Sequence, residues 1–158
     1  MEIEKTLYRL SKEISESDLS NPLLIGIPRR GDLLNKRISK HLVEFGFEHD
    51  IDTVNYRPFR DDLDEELVKS NLNISPEDRN VLLIDDVIYT GRTLRASIEA
   101  VMHSGRPKSI TLACLIDRGH RELPISPKFV GKNIPTNESE YVSVFLEEID
   151  KEDRIEVS

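Results

Sequence analysis

The sequence predicts an α/β domain in which a mainly parallel central sheet is flanked by helices and carries a small hood. Leu23-Leu24-Ile25-Gly26-Ile27, Val81-Leu82-Leu83-Ile84 and Ile110 to Ile116 are apolar runs, too short for buried helices and well suited to buried strands. The segments after the first two runs carry apolar residues at three- and four-residue steps, the helical period. Two strand-then-helix units followed by a strand make a parallel sheet with right-handed crossovers the economical arrangement.

Taken in order, Ile3, Leu7, Leu10 and Ile14 form one face of a short helix that Asn21-Pro22 ends. After the first apolar run, Leu34, Ile38, Leu42 and Phe45 define the inward face of a second helix, with Lys36, Arg37 and Lys40 outward, stopping near Gly46. Residues 50–79 are acidic and irregular, with Pro58 and Pro76, and read as a strand entering a mobile lid loop at about 56–78. Leu94, Ile98, Val101 and Met102 mark a third helix, closed by Gly105-Arg106-Pro107. Lys128-Phe129-Val130 and the alternating Val142, Val144 and Leu146 suggest smaller strands of a hood or sheet edge. Residues 1–158 are read as one domain.

Composition narrows the function classes. The 158 residues include 30 Asp and Glu against 22 Lys and Arg, a formal net charge of −8. With 37% apolar, 33% charged and no Trp, the chain can bury an ordinary core under a solvated surface. No stretch approaches a membrane span, and Met1-Glu2-Ile3-Glu4 lacks the pattern of an export signal, so the expected location is the cytoplasm with no membrane partner. A single cysteine, Cys114, excludes an internal disulfide and a multi-cysteine metal site. Taken alone, the charge argues against nucleic acid.

In parallel sheets ligands bind at the carboxyl ends of the strands. Those ends read Pro28-Arg29-Arg30-Gly31, Asp85-Asp86-Val87-Ile88-Tyr89-Thr90-Gly91-Arg92-Thr93 and Asp117-Arg118-Gly119-His120-Arg121. Adjacent strand residues point to opposite sides, which would send one of Asp85 and Asp86 to a ligand and leave the other to approach it from elsewhere or hold the turn. Thr90-Gly91-Arg92-Thr93 then opens a helix with hydroxyls, a glycine and free amides, a cradle for a phosphate. Carboxylates for vicinal hydroxyls one turn from a phosphate cradle describe a site for a ribose 5-phosphate. A nucleoside triphosphatase reading fails because Gly26 to Gly31 is followed by Asp32-Leu33, not by lysine and a hydroxyl. No Gly-x-Gly-x-x-Gly dinucleotide fingerprint occurs.

Val81 to Thr93, VLLIDDVIYTGRT, closely resembles the phosphoribosyl-pyrophosphate signature of type I phosphoribosyltransferases. Ser104 to Pro107, Leu115 to Ile125 and Val130 to Thr136 resemble the branch of that family that joins uracil phosphoribosyltransferase activity to attenuation of pyrimidine operons. The resemblance implies conversion of uracil and phosphoribosyl pyrophosphate to UMP and pyrophosphate, with Mg2+ assisting. It implies that Asp85 and Asp86 hold the ribose hydroxyls and, through substrate or water, the magnesium, that Thr90, Gly91, Arg92 and Thr93 grip the 5-phosphate, and that Val87 and Tyr89 also belong to the substrate site. Arg29, Arg30 and Gly31 match the pyrophosphate loop, with Arg29 in place of the usual threonine. Arg118 and Val142 would lie against the nucleobase; the alternative for Arg118 is a surface ion pair with Asp117 or Glu122.

The lid departs from the family. Relatives carry Tyr-Arg-Asp-Asp where this chain has Tyr56-Arg57-Pro58-Phe59-Arg60-Asp61-Asp62, so either Phe59-Arg60-Asp61-Asp62 is the equivalent after a short insertion, with Arg60 the candidate catalytic arginine, or the geometry differs; the acidic Leu63-Asp64-Glu65-Glu66 follows. The resemblance also implies UMP- or UTP-dependent binding to a pyrimidine operon mRNA leader, and a homodimer or homotetramer. Arg121 and Lys132 match the RNA-binding face. Tyr8 and Lys12 stand where relatives show threonine and histidine, and Ser126 where arginine is common. Charge placement permits RNA: residues 28–41 and 103–132 are net basic, whereas the tail from 138 onward is strongly acidic. Two alternatives remain at this point: a nucleobase phosphoribosyltransferase without RNA regulation, and a nucleotide sensor with weak or lost turnover.

Overall fold

The computed structural model describes residues 2–60 and 72–158. The central sheet contains five parallel strands: β1 (Pro22–Gly26), β2 (Asp50–Thr53), β3 (Asn80–Ile88), β4 (Ser109–Asp117) and β5 (Phe129–Asn133), in the order β2-β1-β3-β4-β5. Helices α1 (Ile3–Ser15), α2 (Gly31–Glu44) and α3 (Arg92–Ser104) flank it.

Each apolar run becomes a strand because both of its faces are covered. Ile3, Leu7, Leu10 and Ile14 of α1 and Leu34, Ile38 and Leu42 of α2 pack with Leu24, Leu82 and Ile84 on one face. On the other, Leu94, Ala100 and Val101 of α3 pack with Leu23, Ile25, Val81 and Leu83. Met102, read as part of the inward face of α3, is 60% exposed. The buried stripe passes through Leu94, Ala96, Ser97, Ala100 and Val101, one position back from it.

Phe129 to Asn133 extends the main sheet as its edge strand, paired with β4. The hood is a separate antiparallel pair, β6 (Val142–Phe145) and β7 (Arg154–Val157), joined through the short helix α4 (Glu147–Asp150). The sequence reading finds no β7 because Arg154-Ile155-Glu156-Val157 offers only two apolar residues among charges. Val144 and Leu146 drive the hood into the α1–α2 side of the core.

Part of the expected lid, about 56–78, falls within the described residues. Arg57-Pro58-Phe59 forms a single 3₁₀ turn, and Phe59 and Tyr56 pack against the α3 side of the core. On the return, the buried Asp52 carboxylate accepts the amides of Asn73 and Ile74 at 2.8 and 2.9 Å. Residues 61–71, including Asp61, Asp62 and the acidic run at 63–66, lie outside the described residues. Among the described residues no helix is long and apolar enough to cross a membrane.

Candidate active site

The three strand ends named from the sequence meet at one end of the sheet. The loop Pro28–Arg30 leaves β1 through a cis peptide between Pro28 and Arg29 and enters α2 at Gly31. Gly31 is pressed onto β3: a Cβ there would lie 2.4 Å from the Ile84 carbonyl oxygen and 3.1 Å from the Asp85 Cα. The glycine is therefore required by close approach, and it seats the start of α2, just after the arginine loop, against the β3 backbone at Ile84 and Asp85.

Asp85 and Asp86 do not diverge as strand alternation predicts. Leu82 and Ile84 belong to the α1–α2 face and Val81 and Leu83 to the α3 face, yet Val87 joins the first and Ile88 the second. The alternation slips by one residue at the aspartates, and their side chains meet. Burial first, then the charge of Asp86 and a hydrogen bond between the two side chains, hold the Asp85 carboxyl well above the usual carboxylate range. Each carboxylate also accepts the next amide, Asp86 N–H and Val87 N–H, both at 2.8 Å.

Beyond them the chain turns through Tyr89, Thr90 and Gly91 into α3. Gly91 has φ of +92°, the left-handed conformation that glycine adopts without strain, and it delivers the first amides of α3 toward the turn. The segment 119–125 lies beside this turn. Thr90 O accepts the amides of Glu122 and Leu123 at 2.9 and 3.3 Å, and Arg92 Nε donates to Glu122 at 2.9 Å. Arg121 braces the arrangement, donating to Tyr89 O and to Asp117 Oδ2 at 2.7 Å each and to Ile125 O at 2.8 Å.

Arg118 is not a surface ion-pair partner. It is 5% exposed, donates to Thr136 Oγ1 at 3.1 Å and Asn137 O at 3.2 Å, and stacks on Tyr89 at 4.0 Å from the ring centroid. Asp117 is taken by Arg121 and Glu122 by Arg92. With Asp117, His120, Arg121, Asn133 and Thr136, Arg118 lines a cavity of about 420 Å³, roomy enough for a nucleobase. His120 hydrogen-bonds Thr136 O. Val142 is half-buried on β6 against the same core as Val87 and Ile134.

Other predicted residues lie apart from this cluster or are engaged differently. Arg60 is exposed, at the C-cap of the 3₁₀ turn. Arg29 is exposed, whereas Arg30 is half-buried and paired with Asp150 of α4. Arg37, expected to face solvent on α2, is enclosed by Glu4, Glu148 and Asp153 at 2.6–2.9 Å. The acidic tail therefore neutralises part of the basic segment 28–41. Lys12 and Lys132 are exposed, on α1 and on β5; Lys12 Nζ lies 4.7 Å from the Phe45 centroid. Cys114 is buried, and burial raises its thiol so that it stays protonated. The sequence reading missed Asp150, Thr136 and Asn137, whose roles rest on contacts distant in the chain.

A family model for the phosphoribosyl transferase domain matches residues 1–148. The protein named Bifunctional protein PyrR from Clostridium kluyveri is 49% identical over 156 residues, covering 94% of this chain and 88% of the relative. The one from Clostridioides difficile is 45% identical, covering 98% and 92%. In fold the chain is similar to a hypoxanthine phosphoribosyltransferase from Staphylococcus aureus (TM-score 0.69, 25% identity, 89% of this chain and 76% of that one). It is also similar to one from Trypanosoma cruzi complexed with the product IMP (TM-score 0.70, 22% identity, 89% and 70%).

Proposed function

The chain belongs to the phosphoribosyl transferase domain family and, within it, to the bifunctional PyrR proteins, and from that premise we propose how its residues carry out the two activities. The protein is a uracil phosphoribosyltransferase and an RNA-binding regulator of pyrimidine operons. It transfers the phosphoribosyl group of phosphoribosyl pyrophosphate to uracil, giving UMP and pyrophosphate. The observation that supports the assignment of roles is the seating of Gly31 against the Ile84 and Asp85 backbone, which brings the start of α2, just after the arginine loop, onto the strand that carries the aspartate pair.

The Thr90–Thr93 turn and the first amides of α3 bind the 5-phosphate, with the positive end of the helix favouring a dianion. Asp85 and Asp86 accept the ribose hydroxyls. Arg29 and Arg30 neutralise the leaving pyrophosphate, the electrostatic contribution that matters most as the glycosidic bond breaks. Tyr89 and Arg118 form one wall of the uracil site, and Val142 is assigned to the same site. Arg60, at the C-cap of the 3₁₀ turn, is assigned the catalytic arginine's role.

The donor set fits Mg2+. Two adjacent carboxylates, one of them raised above the usual carboxylate range by its burial and then by the charge of its neighbour, offer hard oxygen ligands whose repulsion a dication relieves. Mg2+ would be held by these carboxylates together with waters and substrate oxygens. When bound, Mg2+ supplies charge neutralisation of the pyrophosphate.

For RNA, the exposed Lys12 and Lys132 on the α1–β5 side support a backbone contact whose affinity falls with salt. Arg121 serves from inside, by holding segment 119–125 to the nucleotide turn.

The test pairs two assays. UMP formation from uracil and phosphoribosyl pyrophosphate is expected with Mg2+, and a rate equal to that of Asp85→Asn would reject catalysis. A leader stem-loop RNA is expected to shift in a gel more strongly with UMP present; no shift at low salt would reject regulation.

A further inference from the structure

Arg30 sits in the loop assigned above to pyrophosphate, and its counter-ion comes from the far end of the chain. A single nitrogen, Nη2, lies 3.3 Å from both carboxylate oxygens of Asp150. That is long for a charge-assisted bond, which runs at about 2.7–2.9 Å. Asp150 Oδ2 is shared with the Leu146 amide, at 2.8 Å. Arg30 Nε is buried without any acceptor. The guanidinium is thus held loosely by one corner with donor capacity unmet, the opposite of a finished structural ion pair.

The hood does not depend on this contact. Val144 and Leu146 anchor the hood in the core, and Arg37 holds α4 and the residues after it without Asp150, with Nε and Nη2 on Glu148 at 2.8 and 2.6 Å and Nη1 and Nη2 on Asp153 at 2.7 and 2.9 Å. Asp153 in turn accepts the Glu147 amide at 2.9 Å. Asp150 can release Arg30 while α4 stays docked.

Resting on the pyrophosphate-loop reading, we propose that Asp150 is a built-in anion that competes with pyrophosphate for Arg30. In the ligand-free protein its carboxylate occupies the position a phosphate oxygen would take on Nη2. When phosphoribosyl pyrophosphate arrives, Arg30 exchanges a long, shared contact for a phosphate, and its orphaned Nε gains an acceptor in reach. After transfer, Asp150 recaptures Arg30 and favours departure of the product. Asp150 is a positioning residue: it sets the affinity for the pyrophosphate end of the substrate without touching the reacting atoms.

The test is calorimetric titration of the full-length protein with inorganic pyrophosphate and Mg2+, and separately with UMP, at fixed ionic strength. Asp150→Asn keeps an acceptor for the Leu146 amide and removes the charge; it is expected to bind pyrophosphate about tenfold more tightly than the parent, with UMP unchanged. Asp150→Ala removes the charge by a second route and carries the same expectation. Asp153→Asn loosens the Arg37 clamp but leaves the Arg30 pair, and is expected to bring no gain. A gain confined to pyrophosphate cannot arise from a loosened hood. Pyrophosphate binding unchanged or weakened in both Asp150 variants overturns the proposal and leaves the loop assignment standing. A parent protein that binds UMP but no pyrophosphate overturns both.

Discussion

The Arg118 guanidinium lies 4.0 Å from the centroid of the Tyr89 ring, joining the residue after β4 to the residue after β3 across the mouth of the sheet. An arginine can stack on the ring and still donate in its plane to Thr136 Oγ1 and Asn137 O. A lysine ammonium cannot do both. Arg118→Lys is expected to raise the KM for uracil about tenfold, with a smaller change for phosphoribosyl pyrophosphate. Equal increases for both substrates in steady-state kinetics would reduce Arg118 to a fold element.

Asp85 trades stability for chemistry. Its folded-state pKa lies above its unfolded value of about 4, so the folded protein binds the proton more readily. Stability of the ligand-free protein is therefore present at acid pH and falls as pH rises from the ordinary carboxylate range through the raised folded value. Asp85→Asn removes this loss. At pH 7 the variant is expected to be more stable than the parent by about 1–2 kcal/mol while losing at least about a hundredfold in UMP formation. Thermal melts from pH 4 to 8 check the sign; a variant less stable at every pH would contradict it.

Arg37 contributes through the tail. The arginine first, against the opposing effect of burial, pulls Glu148 and Asp153 below the usual carboxylate range. Depressed values contribute stability above the unfolded carboxylate pKa and lose it as pH falls through the lower folded values. Arg37→Met leaves three carboxylates facing one another and is expected to cost about 2 kcal/mol at neutral pH, with a shallower acid transition. Denaturant midpoints at pH 7 and pH 3 measure both.

Gly31→Ala tests the seating of the arginine loop. A methyl 2.4 Å from the Ile84 carbonyl oxygen forces α2 away from β3. The expected cost is about 2 kcal/mol or more in stability, with weakened pyrophosphate binding. A folded, fully active variant would show that the loop and the aspartate pair need not touch.

Two basic residues assigned to RNA separate by their engagement. Lys132 is exposed, so Lys132→Ala is expected to weaken leader RNA binding and lower the salt slope by about one, with UMP kinetics intact. Arg121 is held by Tyr89, Asp117 and Ile125, so Arg121→Gln is expected to weaken UMP binding as well. Filter binding of RNA and calorimetry with UMP distinguish the two; an Arg121→Gln protein with parental UMP affinity would contradict the brace.

Much of this site is legible in one dimension. The run from Val81 to Thr93 contains its own strand, its carboxylates, its turn and the start of its helix, so a short window carries both placement and chemistry. Arg118 was found by its position one residue past a strand, but its stacking partner and its two acceptors lie on other segments. Lys128-Phe129-Val130 reads as a strand of the hood or of the sheet edge, and only the structure extends it to Asn133 and joins it to β4, because period and length do not say which edge a strand joins. Met102 was placed inward because a helical stripe read from a few positions drifts by one residue.

By itself the sequence determined the order of the main-sheet strands and their flanking helices, the residues that stand at the end of β3, and the family that these residues resemble. Hydrophobic period and strand-end chemistry are local, and they survive any choice of distant contacts. Only the tertiary structure decided that Asp85 and Asp86 face each other, that Arg37 is enclosed rather than solvated, and that Arg30 is claimed by Asp150, 120 positions away. Which opposite charge a side chain meets depends on how distant segments dock, and here the docking is driven by Val144 and Leu146 entering the core, residues that carry no charge at all.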